Sequence, residues 1–269
     1  MAFVLAAVVI VAGLVAATEL MFRLGQARAR RHADEKKAEV HVAMREQVGT
    51  VQVATLGLLA LMLGFTMSMA ESRFNQRRVV NVAESNAVGT TFLRANLLTE
   101  PERGESRDVL RKYVAQRVAY FQAKNGDEAA AASSRAQALS SHLFALATKV
   151  GQLHPDWDVI ATYIESLNDM IDLEATRDFA TRSHLPALIH IVLILIALAA
   201  IGVTGYATGL SGARSAFGLY VIPLLVALTC VMILDLDHNR WGLIRNSGIP
   251  MQSAQQTIER ELGVTNAAR

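Results

Sequence analysis

The chain has 269 residues, 52% of them hydrophobic and only 6% aromatic, with a formal net charge of +2. Apolar blocks dominated by Ala, Leu and Val fit membrane-spanning helices, not the alternating, aromatic-girdled strands of an outer-membrane barrel. The slight basic excess is of the kind spent on lipid headgroups and implies no nucleic acid, and Cys230, the single cysteine, excludes an intrachain disulfide or a cysteine-held metal.

Residues 1–22, containing AFVLAAVVIVAGLVAATELMF, read as the first span. A cleaved signal peptide is the alternative, but no basic segment precedes the apolar run and the run is longer than such peptides use. Glu19, near its end, is expected to reach the interface or to pair with Arg23. Residues 23–47 form a polar connector with Arg23, Arg28, Arg30 and Arg31 beside Asp34, Glu35, Glu39 and Glu46. By the positive-inside rule these arginines put the connector in the cytoplasm, whereas Arg73, Arg77, Arg78, Arg94, Arg177, Arg182, Arg240 and Arg245 argue for the opposite side.

Residues 48–70 are the second span. No proline follows until Pro101, so the helix runs on into solvent, and at about 1.5 Å per residue the stretch Val51 to Leu98 makes a rod on the order of 70 Å long. Gly57, Gly64 and Ser68 give the span one small-residue face. That face reads either as a surface for tight helix packing or as a line of positions facing a conduit, continued by Glu71, Ser72 and Asn75.

Residues 71–184 carry helical periodicity and no strand-like alternation. The spacing predicts a helix from Arg103 to Lys124 with Leu110, Val114, Val118 and Phe121 on one face and Tyr113 and Tyr120 on its margin. Asn125-Gly126-Asp127 marks a turn. A further helix from Glu128 to Val150 follows, with Leu139, Leu143, Leu146 and Val150 as its apolar side. The last, Asp156 to Ser183, has Trp157, Ile160, Ile164, Leu167, Ile171 and Phe179 recurring at helical intervals and feeds the next span.

Residues 185–206 and 215–234 are the third and fourth spans, joined by a short glycine-rich loop at 207–214, so they are antiparallel neighbours. His190, about a turn inside the third span, reads as a proton sensor, as a hydrogen-bonded contact between helices or as a residue near the interface. An even number of spans places both termini and the helical domain on one side of the membrane. Residues 235–269 form a polar tail. Asp235 and Asp237 lie two apart, which on a helix does not place them on one face, so they do not suggest a metal site. A charge network at the membrane edge, drawn from Arg73, Arg77, Arg78, Glu84, Asp235, Asp237 and Arg240, is the expectation instead. Signatures of catalysis or cofactor binding do not occur, and neither an enzyme nor a cofactor is expected.

The segments LGFTMSMAESRFNQRR (63–78), ESNAVGTTFLRANLL (84–98), RKYVAQR (111–117), GYATGLSGAR (205–214) and LDLDHNRWGLI (234–244) resemble, in order and spacing, the bestrophin-like membrane protein family. The resemblance covers nearly the whole chain. Where the family's last motif has Arg-Pro, this chain has His238-Asn239. More distantly it is similar to bestrophins, and that similarity implies a homo-oligomeric ion channel. It implies five subunits, a helical cytosolic domain, and a pore for a permeant inorganic ion lined by the second span of each subunit. The lining candidates here are Gly57, Leu61, Gly64, Met67, Ser68, Glu71, Ser72 and Asn75. In place of a cluster of aromatic gate residues the chain offers Met62, Phe65, Met67 and Met69.

The expected fold is thus all-α: four spans with a helical bundle between the second and third, both of those spans extended by long helices, in the cell membrane, with a bacterial inner membrane expected. The expected function is an oligomeric ion channel of open selectivity. The alternative is a membrane-anchored structural or sensory scaffold whose helical bundle recruits a partner.

Overall fold

A computed structural model of the chain describes residues 2–31, 38–156, 158–212, 214, 216–238 and 242–267. Its helices are α1 (Ala2–Arg31), α2 (Ala38–Arg94), α3 (Glu102–Gln122), α4 (Gly126–Leu153), α5 (Asp158–Arg182), α6 (Ala187–Ser211), α7 (Ala216–Asp237) and α8 (Ile249–Ala267). Among the described residues there is no strand, as the sequence predicts. Four stretches, in α1, α2, α6 and α7, are long and apolar enough to cross a bilayer. Helix α2 has 57 residues and, at about 1.5 Å each, is roughly 85 Å long. It starts thirteen residues before Val51, because the connector between the first two spans is itself largely helical.

The chain divides into two compact units, Met1–Phe74 with His184–Arg245 and Asn75–Ser183 with Asn246–Arg269. In the spanning unit, α1 packs along α6 and α7 around Leu14, Leu193, Ala197, Ala200, Ile201, Ala227, Cys230 and Ile233. Helices α1 and α6 touch backbone to backbone. A Cβ added at Gly205 would collide with the Thr18 carbonyl, at Gly209 with the Phe22 carbonyl, and at Gly25 with the Tyr206 carbonyl. Small residues permit this approach in a membrane, where packing has to replace the hydrophobic drive. At the end of this contact Glu19 pairs with Arg23 at 2.8 Å and with Arg214 at 3.3 Å.

In the helical unit, α3, α4, α5, α8 and the last part of α2 enclose a core of Val88, Phe92, Leu98, Leu110, Tyr113, Val114, Leu143, Val150, Ile160, Leu167, Met170, Met251 and Ile258. Asn125 is the N-cap of α4. Its side chain accepts from Glu128 N at 2.8 Å, satisfying an amide that the helix start leaves orphaned, while the Glu128 carboxylate accepts from Lys124 N at 2.8 Å and so fixes the turn before the cap.

Two sequence expectations change here. The polar tail contains α8, whose Met251 and Ile258 are buried in the same core, with Leu262 partly buried against it; its apolar positions are spaced for a helix but are too sparse to stand out. And Phe179, expected on the apolar face of α5, is 74% exposed. The buried stripe of α5 runs instead through Tyr163, Leu167, Met170, Glu174 and Arg177. Trp157 lies outside the described residues.

Candidate functional site

Along α2, Gly57, Leu61, Gly64, Ser68, Glu71, Ser72 and Asn75 fall within an arc of about 100° when successive residues turn through 360°/3.6. All of them are exposed, Leu61 by 53%. Met67, at the margin of this arc, is half-buried against the core of the spanning unit. A Cβ at Gly57 or Gly64 meets nothing within 4 Å. The small-residue face is therefore not a packing surface inside the subunit; that role belongs to Gly25, Gly205 and Gly209. Within the helical unit α2 likewise leaves Asn75, Val79, Val82, Asn86 and Leu93 exposed.

The opposite side of α2 carries charge into the protein. Arg77 and Glu84 sit about half a turn away from the exposed face, with 2% and 0% of their surface accessible. Arg77 donates from Nε to the Ala180 carbonyl at 3.1 Å and from Nη2 to the Ser183 carbonyl at 2.8 Å, so it caps the C-terminus of α5, where unpaired carbonyls and the helix dipole favour a cation. Glu84 accepts from Arg117 Nε at 2.7 Å and Nη2 at 3.1 Å and from the Tyr113 hydroxyl at 3.2 Å. Arg177 Nε lies 3.1 Å from Glu84 Oε2, the oxygen that also accepts from Arg117 Nη2, and its own Nη2 lies 2.6 Å from Asp178. These are ion pairs by distance, although no Arg177 nitrogen lies along a hydrogen-bond direction. Both guanidiniums lie over the Tyr120 ring, at 4.9 and 4.8 Å.

Arg77 and Glu84, expected at the membrane edge, are thus core residues of the helical unit. Arg73 is half-buried and Arg78 exposed. Sequence reasoning missed Arg117, Arg177 and Tyr113. Burial, reinforced by the adjacent Glu84 carboxylate, pushes Tyr113 well above the ordinary phenol value and keeps it a neutral donor.

Glu174 borders this cluster. Burial raises its carboxyl above the ordinary 4.5, against the lowering effects of the Ser140 hydroxyl and Arg117; Glu84 raises it further and Arg177 lowers it. Between the ordinary value and the raised one, the folded chain therefore holds a proton that the unfolded chain has released. The stability this confers is full below the ordinary value and is lost as pH rises through the raised one. Glu174→Gln is expected to gain thermal stability relative to the native chain as pH rises above the ordinary carboxyl value, and melting curves at pH below and above that value test it. A constant difference would show that Glu174 does not titrate there.

At the end of α7, Asp235 accepts from Leu243 N at 2.7 Å and Ile244 N at 2.9 Å. Gly242 lies against this carboxylate so closely that a Cβ would overlap it. Asp237 accepts from Leu185 N at 3.0 Å, and His184 Nδ1 is 3.1 Å from the Asp237 carbonyl. Both acids hold backbone amides. Arg240, with which the sequence suggests they form a network, lies outside the described residues.

A family model, the bestrophin-like domain, matches residues 12–239. No curated protein matches the chain. Among solved structures the chain is similar to crystal structures of a bacterial bestrophin homologue from Klebsiella pneumoniae. For one point variant the TM-score is 0.64 at 15% identity, over 94% of this chain and 95% of that one. Two further structures of that homologue give TM-scores of 0.61 at 13% identity and 0.59 at 14%, each over 93% of this chain and 96% of the other. At such identities the likeness is one of fold. The family match spans α2, α6 and α7 whole and α1 from residue 12 onward, with the charged face of α2 and the Asp235 and Asp237 anchors: this chain belongs to the bestrophin-like family.

Proposed function

We propose that the protein is a homo-oligomeric ion channel in which α2 of each subunit lines the pathway. The observation that carries this reading is the uncovered face of α2 in the spanning unit. A polar and small-residue face at bilayer depth is costly against lipid unless it meets water or another subunit, and here Gly64, Ser68, Glu71 and Ser72 all lie open. Gly57, Leu61 and Gly64 form the narrower, apolar part of the path, with Met67 at its margin. Ser68, Glu71, Ser72 and Asn75 form a polar mouth at which Glu71 acts on the permeant inorganic ion. Five subunits is the number that the family resemblance implies, and a bacterial inner membrane is the proposed location.

The test is a planar-bilayer recording of the purified protein under a salt gradient. Glu71→Gln is expected to shift the reversal potential, because it removes the one formal charge on this face between Gly57 and Asn75. Gly64→Leu is expected to lower the conductance. An assembled protein that passes no current above background over a range of voltage and pH would instead favour the structural or sensory scaffold.

A further inference from the structure

The spanning unit contains a cavity of about 280 Å³ between α1, α6 and α7. Its walls include Gly13, Leu14, Leu193, Leu198, Cys230 and, at one end, His190. All are apolar or small except the histidine, whose Nε2 is buried and has no hydrogen-bond partner. A cavity of about 150 Å³ lined by aliphatic and aromatic groups stays dry and takes up benzene. One nearly twice that size beside lipid has ample room for hydrocarbon.

The position of the polar atom narrows the occupant. Helix α6 begins at Ala187 and α7 ends at Asp237, and the bond from Leu185 N to Asp237 ties these two ends together. His190 therefore lies one turn inside the start of α6, beside the end of α7. From there the cavity runs along α6 to Leu198, a depth of about 12 Å at 1.5 Å per residue. A buried nitrogen without a partner costs free energy comparable to a lost hydrogen bond. What satisfies it is an oxygen held just beneath the headgroup level at the top of an alkyl chain.

We propose that this cavity binds one acyl chain of a membrane phospholipid, whose ester carbonyl accepts a hydrogen bond from His190 Nε2. The tail packs against Gly13, Leu14, Leu193 and Leu198 and lies beside the Cys230 thiol. In this contact the imidazole donates from its Nε2–H. This assigns His190 a lipid contact and does not depend on whether α2 lines a pore.

The experiment uses the full-length protein in nanodiscs containing a trace of a diacyl phospholipid with a photoactivatable diazirine in one chain. Cross-linked peptides are mapped, and unlabelled competitors displace the probe: a diacyl phospholipid and a dialkyl ether phospholipid with the same chains and headgroup, the second lacking the carbonyl. Cross-links are expected in the peptides around Leu14, Leu193 to Leu198 and Cys230. The ester lipid should compete at a concentration about three- to tenfold lower than the ether lipid, the range of one neutral hydrogen bond. His190→Leu should abolish that preference while keeping the cross-links.

Gly13→Leu fills the cavity from a position whose Cβ has nothing within 4 Å, so it should fold and lose the cross-links. Equal competition by the two lipids in the native chain overturns the role of His190. Cross-links that persist in Gly13→Leu, or that fall as often on α2 as in the cavity, overturn the site itself.

Discussion

Glu84→Ala is expected to destabilise the helical unit strongly and to lower its melting temperature far below the native value. The Glu84 carboxylate is the fully buried acid facing two fully buried guanidiniums, with 0% of Glu84, 0% of Arg117 and 1% of Arg177 accessible. Removing it leaves Arg117 with no carboxylate at hydrogen-bond distance and leaves Arg177 with the half-exposed Asp178 alone. Breaking a buried ion pair by deleting one partner costs about 3–5 kcal/mol, because the remaining charge is neither solvated nor paired. That is a large share of the stability of a unit this size, which is of order 5–15 kcal/mol.

Replacing the whole group is a different experiment. Glu84→Met combined with Arg117→Met and Arg177→Met removes the charges together, and buried triads exchanged for apolar residues of similar volume are often no less stable than the original. Thermal melting of the purified full-length protein, followed by helical circular dichroism and by protease susceptibility of α3 to α5, distinguishes the two. A melting temperature for Glu84→Ala within a degree or two of the native value would show that the cluster is solvated and that its apparent burial carries no energetic weight.

The same cluster marks the boundary of what was legible in the sequence. The spans could be read because hydrocarbon thickness demands about twenty apolar residues in a row, a signal that composition alone carries. The helical unit could be read as helical from its periodicity, and Leu110, Val114, Leu143, Val150, Ile160 and Leu167 are buried as that periodicity predicts. The error began where the buried stripe becomes charged. On α5 the inward positions after Met170 are Glu174 and Arg177, and a reading that assigns apolar residues to the core turns the helix toward Ile171 and Phe179 instead. On α2 the angular positions of Arg77 and Glu84, opposite the small-residue face, were available from spacing. What spacing could not say is which face was covered, because charge so close to a membrane exit fits lipid phosphate as readily as a buried partner.

Gly242 and Gly209 illustrate a second limit. Both fall in segments that resemble the family, yet the reason each is glycine is a contact with chain far away in sequence or folded back on itself. Gly242 lies on the Asp235 carboxylate and Gly209 on the backbone of α1. Small-residue spacing pointed to the second span, where Gly57 and Gly64 meet nothing within their own subunit. Within one chain the pattern identifies a face that tolerates close approach, and only the structure shows what approaches it.

Gly209→Val is accordingly expected to separate α1 from α6. Its first added carbon would meet the Phe22 carbonyl, the Gln26 amide and the Gly25 Cα, all of them backbone atoms that cannot turn aside as a side-chain tip can. Overpacking a well-fitted contact costs about 1–3 kcal/mol where side chains absorb the strain, and more where they cannot. The control lies on the same pair of helices: Gly13→Ala adds its methyl group to open space and should fall within about 0.5 kcal/mol of the native protein. Heating both variants in detergent and following the loss of the monodisperse peak on size exclusion compares them directly. Because α1 meets α6 and α7, the loss of this contact should also open the cavity at His190, and the cross-linking of acyl chains there should become indistinguishable from that on exposed α2. If Gly209→Val and Gly13→Ala lose the peak at the same temperature, the close approach of the two helices contributes nothing to holding the spans together.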